Sequence, residues 1–149
     1  MSKKSEKRLA KKLEREKKQK NTISVSLPDL QSPTDNDDYV VFSLRNLHQD
    51  YNLSSRLCND QIKSDLLQKI CTMCCTTWNT LFTKRKDCGG LEPLGVDIFK
   101  VSMPSCVTDD IDHLYAMRFN GQNSRLIGYR SQNIFHAIFV DVDLSTYKH

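Results

Sequence analysis

Three apolar segments near the C-terminus, separated by turn-forming residues, predict a β-meander. They cover residues 114–119, 125–130 and 134–140, and Asn120-Gly121 between the first two is a strong hairpin signal. The third segment is almost continuously apolar. Such a strand is typical of a sheet interior that is covered on both faces, so we expect it at the centre of the sheet.

Two helices are predicted upstream of the meander, where apolar residues recur at helical spacing. The first begins at Asn59 or Asp60 and the second at Thr76 or Thr77, since each of these residues is a suitable N-terminal cap. The predicted buried face of the first helix consists of Ile62, Leu66, Leu67, Ile70 and Met73 and continues with Cys74. That of the second helix consists of Trp78, Leu81 and Phe82.

These elements predict an α+β domain over residues 39–149, in which the helical pair packs on a small twisted antiparallel sheet. Residues 39–44 and 96–101 are expected to add short strands. Residues 21–38 contain Pro28, Pro33 and many turn formers, and we interpret them as a linker. Residues 1–20 are rich in helix-forming residues and predict a basic helical arm.

The charge of the chain is distributed unevenly. Residues 1–20 hold ten Lys or Arg and three Glu, a net charge of +7, whereas the other 129 residues hold 12 basic and 15 acidic groups, a net charge of −3. Basic residues of the arm such as Lys11 and Lys12 are candidates for contacts with nucleic-acid phosphates. The alternative is a tail that only keeps the protein soluble.

Several classes of protein are excluded by composition. The 149 residues include 5 Gly and 4 Pro, which rules out collagen, and no apolar run is long enough for a transmembrane helix. The charged N-terminal region does not lead into the apolar segment of a secretory signal. We therefore expect a cytoplasmic protein without a membrane partner.

Six cysteines raise the question of disulfides or a metal. In a cytoplasmic protein, free thiols are expected. Cys71, Cys74 and Cys75 have a ligand-like spacing, but a closed zinc site needs four ligands and the other cysteines are scattered singly. We predict no metal and no cofactor, and interpret these cysteines as small apolar residues on a buried helix face.

The C-terminal stretch LYAMRFNGQNSRLIGYRSQNIFHAIFVDVDLSTYKH resembles the end of the RelE/ParE-like toxin superfamily. That superfamily shares a strand of the type L-W-x-x-R-x, a short turn, an R-x-x-Y-x strand, a second turn and a hydrophobic strand. The resemblance covers residues 113–149, is looser over 39–90, and does not include 1–38.

The resemblance implies a toxin-like protein of a bacterial or phage toxin–antitoxin system, with an antitoxin and RNA or the ribosome as partners. Enzymes of this superfamily cut mRNA within the ribosome without a metal. A ribose 2′-hydroxyl attacks the adjacent phosphate, while cationic and phenolic groups stabilise charge and move protons.

The resemblance also implies site residues. Arg118 matches a basic position on the first meander strand, Arg125 the arginine that faces the scissile phosphate, and Tyr147 a tyrosine that transfers a proton. His136 is a candidate acid or base, because its ordinary pKa lies near neutrality; the alternative is a core histidine. Further candidates for nucleic-acid binding are Arg130 and His149, expected on the same face, and Lys84, Arg85 and Lys86, which alternatively stabilise a helix C-terminus.

Two positions depart from the superfamily pattern. Asp141 and Asp143 stand where the active enzymes have Lys or Arg, and carboxylates repel a phosphate. This departure favours an alternative to RNA cleavage: a non-catalytic, ParE-like binding inhibitor, or an accessory protein that retains the fold without nuclease activity.

Overall fold

The structure, a computed structural model, describes residues 36–149. The predicted basic arm with Lys11 and Lys12, and most of the predicted linker, lie outside the described residues. The described part contains two helices and one five-stranded sheet, so the predicted α+β class is confirmed.

Both predicted helices are present. Helix α1 spans Asp60–Cys74 and helix α2 spans Trp78–Thr83. The side chain of Asn59 caps α1 by accepting a hydrogen bond from the backbone N–H of Ile62 at 3.0 Å. Thr77 caps α2 by accepting from the backbone N–H of Thr80 at 3.3 Å. Each helix therefore begins where a polar side chain satisfies a free N–H of the first turn.

The sheet is mixed rather than antiparallel. Its strands are β1 (Val41–Ser43), β2 (Leu91–Gly95), β3 (His113–Phe119), β4 (Ser124–Ser131) and β5 (Ile134–Asp141), arranged in the order β1-β5-β4-β3-β2. The β3-β4-β5 meander is antiparallel as predicted, whereas β1 pairs in parallel with β5. The antiparallel prediction was wrong for β1 because no short turn connects these two strands and thereby sets their relative direction.

The segment before β3 also differs from the prediction. A strand forms at Leu91–Gly95, and Val96–Ile98 is a short 3₁₀ helix rather than part of a strand. Pro93 lies in β2, which is the edge strand next to β3. A proline is compatible with an edge strand because it has no N–H to donate to a second neighbour.

The sheet has two differently covered faces. On the helix-side face, Met117, Leu126 and Phe135 belong to a hydrophobic cluster with Leu66 of α1 and Trp78 of α2. On the loop-side face, the sheet residues cluster with apolar residues of the segment 96–111 and with Tyr147 of the C-terminal tail. The sheet residues of that second cluster include Leu114, Ala116, Ile127 and Phe139.

Burial agrees with most of the predicted core. Trp78 and Leu81 are fully buried, but Leu67 is 63% exposed and Phe82 is 40% exposed. Strand β5 is buried on both faces as expected, although β4 rather than β5 is the central strand. Among residues 36–149, no helix combines the length and apolar character needed to cross a membrane.

Candidate functional site

Arg118 and Arg125 lie directly opposite each other on β3 and β4. The turn between these strands is tight, because Asn120 and Gly121 both adopt left-handed backbone conformations with φ of 50° and 58°. Side chains of directly opposed residues leave the same face of a sheet. For this pair it is the loop-side face, since Arg125 contacts Tyr147.

The C-terminal tail brings Tyr147 to the same place. The buried carboxylate of Asp141 accepts hydrogen bonds from the backbone N–H groups of Ser145 and Thr146, at 3.0 and 3.2 Å, and from the Thr146 hydroxyl. These bonds fold the tail back beside β5, where Tyr147 contacts Arg125. The structure thus brings together Arg118, Arg125 and Tyr147, which with Glu92 we call the loop-side cluster.

The positive charges of the loop-side cluster are largely occupied. Arg118 donates to Glu92 at 3.1 Å, and Lys86 donates to the other carboxylate oxygen at 2.8 Å. Burial raises the pKa of Glu92, but the hydrogen bonds from Lys86 and Arg118 outweigh this effect and hold the pKa below its ordinary value. An ionised carboxylate therefore lies between the two cations.

Arg125 is 6% exposed and is bound by protein oxygens. Its guanidinium donates to the backbone carbonyls of Gln122 at 2.6 Å and Ser124 at 3.1 Å. The Nε atoms of Arg118 and Arg125 are buried and have no hydrogen-bond partner within residues 36–149. Because these atoms do not reach the surface, an approaching phosphate does not contact them without movement of the surrounding protein.

Tyr147 itself is 3% exposed. Burial raises the pKa of its hydroxyl, and the opposing effect of Arg125 is smaller. The hydroxyl is therefore protonated at neutral pH. His149 lies next to it, with ring centroids 4.4 Å apart, and its Nε2 contacts the carbonyl oxygen of Leu144 at 3.1 Å.

His136 does not join the loop-side cluster. It precedes Asp141, the β5 residue opposite Arg125, by five positions, which is roughly 16 Å along a strand. Its ring stacks on Tyr129 with centroids 4.9 Å apart, and burial lowers the pKa, so that the ring is neutral at pH 7. The expectation that His136 shares a site with Arg118 and Arg125 was wrong, because the two ends of the strand are too far apart.

Arg130 lies on the opposite face of the sheet. Its guanidinium is 4.5 Å from the centre of the Trp78 ring and 5.6 Å from that of Phe82, on the helix-side face. The prediction of one shared arginine face was wrong for this residue, because Arg125 and Arg130 are five positions apart and side chains alternate along a strand.

The remaining basic candidates follow the end of α2. Arg85 pairs with Asp87 at 2.9 Å, and Lys86 pairs with Glu92 as described. Lys84 is exposed and its backbone N–H donates to Thr80 at the C-terminus of α2. Two of the three cations are thus already paired with carboxylates.

The cysteines are not core residues of α1. Cys71, Cys74 and Cys75 are exposed free thiols, which contradicts the interpretation that they fill a buried helix face. Their side chains face solvent at the C-terminal end of α1, whereas the buried positions of the helix are Ile62, Leu66 and Met73. Within residues 36–149, no group of three or more His, Cys, Asp or Glu side chains is arranged to hold a metal ion.

Sequence reasoning missed two sets of polar contacts. One is Glu92, whose role depends on residues 26 positions away and leaves no local signal. The other is His113, whose ring bonds to Asp112 on one side and to the Tyr115 hydroxyl, at 2.9 Å, on the other. A His-x-Tyr spacing on a predicted strand places both side chains on one face, and this signal was available in the sequence.

Comparison with protein-family models, with curated proteins and with solved structures found no significant match to this chain.

Proposed function

We propose that this protein is a toxin-like protein of the RelE/ParE type that acts in the cytoplasm by binding a protein target rather than by cutting mRNA. The likeness of residues 113–149 to the superfamily motif supports the first half of this proposal. The α+β fold, with two helices before an antiparallel meander, is compatible with it.

The observation that carries the second half is the charge compensation of the loop-side cluster. Cleavage through a ribose 2′-hydroxyl requires cations that face the phosphate and stabilise its developing charge. Here Arg118 and Lys86 share the carboxylate of Glu92, and Arg125 is bound by two backbone carbonyls. The cluster therefore has the character of a structural ion network that fixes the tail on the sheet.

The net charge of the part of the chain that the structure describes also favours a protein target over RNA cleavage. Residues 36–149 hold 12 Lys or Arg and 13 Asp or Glu. A surface that grips an RNA backbone needs a clear excess of cations, and this part of the chain has none. A protein target makes no such demand, because protein interfaces use both signs of charge with apolar contacts.

A second candidate function, metal-free cleavage of mRNA, is favoured by one observation. Arg118, Arg125, Tyr147 and His149 lie together at one end of the loop-side face, with Tyr147 in direct contact with two of the others. If the carboxylate of Glu92 moves away when RNA binds, this group supplies a cation and a proton donor.

Controlled expression in bacterial cells tests the proposal. We expect induction of the full chain to slow growth while ribosome-bound mRNA gains no new ends in primer-extension mapping. Tyr147→Phe removes the hydroxyl but keeps the buried ring, and we expect it to slow growth as strongly as the wild type. Tyr39→Phe, at an exposed position outside the cluster, is the matched control.

Two results would overturn the proposal in different ways. Growth arrest with new mRNA ends, both lost in Tyr147→Phe and kept in Tyr39→Phe, would establish the nuclease alternative. Unchanged growth with confirmed expression of folded protein would reject a toxin altogether. A cognate antitoxin is the expected partner, and its co-expression from a neighbouring gene should restore growth.

A further inference from the structure

The sheet divides at the start of β3. Pairing between β3 and β4 runs from Phe119–Ser124 to Tyr115–Gly128 and ends there. Beyond this point His113 pairs with Gly95 of β2, whereas Arg130 pairs with Phe135 of β5. The two inner strands thus separate, each following its other neighbour. A register shift between Ile127 and Gly128, where β4 pairs with β5, lies at the same place.

A cavity of about 340 Å³ occupies the opening between the separated strands. This volume lies in the range of small-molecule sites. We call it the split-sheet pocket. Its lining includes Phe82, Asp110, Asp112, His113, Tyr115, Tyr129 and Arg130. It shares no residue with the loop-side cluster.

One wall of the pocket holds a chain of three polar groups. The carboxylate of Asp112 contacts His113 Nδ1, and His113 Nε2 contacts the Tyr115 hydroxyl at 2.9 Å. The carboxylate fixes the orientation of the imidazole, and the imidazole fixes that of the hydroxyl. Burial raises the pKa of Tyr115, so the phenol keeps its proton and remains a hydrogen-bond group at neutral pH.

The pocket lining also holds a cation in a fixed position. Arg130 Nε donates to the carbonyl of Gln132 at 2.6 Å, and one terminal nitrogen donates to the side-chain oxygen of Asn36 at 2.7 Å. Its plane also rests on the rings of Trp78 and Phe82. A guanidinium held in this way loses little further freedom when it binds an anion.

The pocket also contains aromatic surface and carboxylates. Phe82 is 40% exposed although it is a large apolar residue, and Tyr129 lines the same cavity. Asp110 and Asp112 add acceptors for N–H groups. A ligand that contacts all of these groups has an anionic group, a flat ring and ring N–H donors. Inorganic phosphate has only the anionic group.

We propose that the split-sheet pocket binds a nucleoside monophosphate unit, either as a free nucleotide or as one residue of a single-stranded RNA. The phosphate is bound by Arg130, and the base stacks on Phe82 or Tyr129. Ligand N–H groups donate to the carboxylates and to the oxygen of the Tyr115 hydroxyl, whose own proton is donated to His113 Nε2. Stacking of bases on aromatic rings and arginine is the usual way in which proteins bind unpaired nucleotides. This inference does not rest on the proposed toxin function, because binding one nucleotide through Arg130 does not require the excess of cations that holds an RNA backbone.

Isothermal titration of the full chain with GMP and AMP tests the inference, with guanosine and inorganic phosphate as partial ligands. The titrations are done at roughly 0.3 M salt, where the basic arm is screened. Because Trp78 is the single tryptophan of the chain and contacts Arg130, its fluorescence gives a second readout. We expect saturable binding of a nucleotide and at least tenfold weaker binding of inorganic phosphate and of guanosine.

Two variants and one control locate the binding. Arg130→Gln should weaken nucleotide binding by about tenfold, the loss expected for a hydrogen bond between charged groups, and Tyr115→Phe by roughly threefold, the loss expected for one neutral hydrogen bond. Tyr115→Phe keeps the ring in place, so a loss of binding there does not reflect unfolding. Arg56→Gln, at an exposed arginine that does not line the pocket, should bind as the wild type does.

A short oligo(A) distinguishes the two sources of the nucleotide. Tighter binding of the oligonucleotide than of AMP, with the same loss in Arg130→Gln, identifies RNA as the source, and equal or weaker binding identifies the free nucleotide. The inference is overturned if no nucleotide binds saturably, if inorganic phosphate binds as tightly as a nucleotide, or if both variants leave binding unchanged.

Discussion

Asp141 has a structural role that differs from the one expected from its position in the RelE/ParE-like pattern. The superfamily pattern places a cation here, and we expected the acidic residue to repel a phosphate. Instead the side chain is fully buried and accepts three hydrogen bonds from Ser145 and Thr146. A buried carboxylate is tolerated when its acceptors are satisfied in this way. Asp141 therefore positions the tail that carries Tyr147.

Glu92 is the residue whose ionisation should be visible in stability. Its pKa is lower in the folded chain than the ordinary value of 4.5 because Lys86 and Arg118 bond to the carboxylate. A lowered folded-state pKa contributes stability that is present above pH 4.5 and is lost as the pH falls through the folded-state pKa.

We therefore expect Glu92→Gln to lower the free energy of unfolding by about 1 kcal/mol at pH 7, the usual effect of losing charge-assisted hydrogen bonds at a partly exposed site. The difference from the wild type should shrink as the pH is lowered below 4.5, through the folded-state pKa of Glu92. Urea unfolding across this range measures it. Asp109→Asn, at an exposed position, is the control. A difference that stays constant with pH would contradict this role of Glu92.

At the scale of elements, β4 depends on a glycine at its register shift. A Cβ on Gly128 would meet the backbone carbonyl oxygen of His136 on β5, closer than real Cβ atoms approach. Only glycine lets the two strands approach at the point where β3 also separates from β4. The register shift and the end of the β3–β4 pairing thus both lie at Gly128.

Gly128→Ala should destabilise the fold by about 2–3 kcal/mol, since the neighbouring backbone must move to accept the methyl group. Gly121→Ala is the matched control: Gly121 has a φ of +58°, and a Cβ there would make only an ordinary van der Waals contact, with Asn123 Nδ2 at 3.9 Å. We expect Gly121→Ala to lower the free energy of unfolding by about 1 kcal/mol, because a left-handed conformation is unfavourable for a non-glycine residue. Equal losses for the two variants in urea unfolding would show that the contact with β5 does not matter.

For the whole molecule, the dominant feature is the separation of charge along the chain. The first 20 residues have a net charge of +7 and the rest a net charge of −3. Association with nucleic acid through such a basic arm releases counterions, so the affinity falls steeply as the salt concentration rises.

Deletion of residues 1–20 should therefore weaken the binding of a generic duplex or single strand at low salt by at least tenfold and flatten the salt dependence. Fluorescence anisotropy measures both quantities. The titrations cover roughly 0.05 to 0.2 M salt, a range over which the effect of counterion release is large. If the truncated chain binds as tightly as the full chain at low salt, the arm is a solubilising tail.

How far the sequence predicted this fold depends on how local each signal was. Asn59 and Thr77 begin the helices because their caps act within three residues. The meander strands follow from alternation and from the turn at Asn120-Gly121. The parallel pairing of β1 with β5, and the strand at Leu91–Gly95 in place of one at 96–101, depend on distant neighbours that no local pattern specifies.

The same distinction between local and distant signals applies to the candidate site. Strand parity and a hairpin turn were sufficient to bring Arg118 and Arg125 together, because both are properties of adjacent residues. Whether those cations are free or paired was decided by Glu92 and by the carbonyls of the turn, and the placement of Arg130 against Trp78 by the packing of a helix on the sheet. Charge and hydrogen-bond partners are set by proximity in space, and proximity between distant segments exists only in the folded chain.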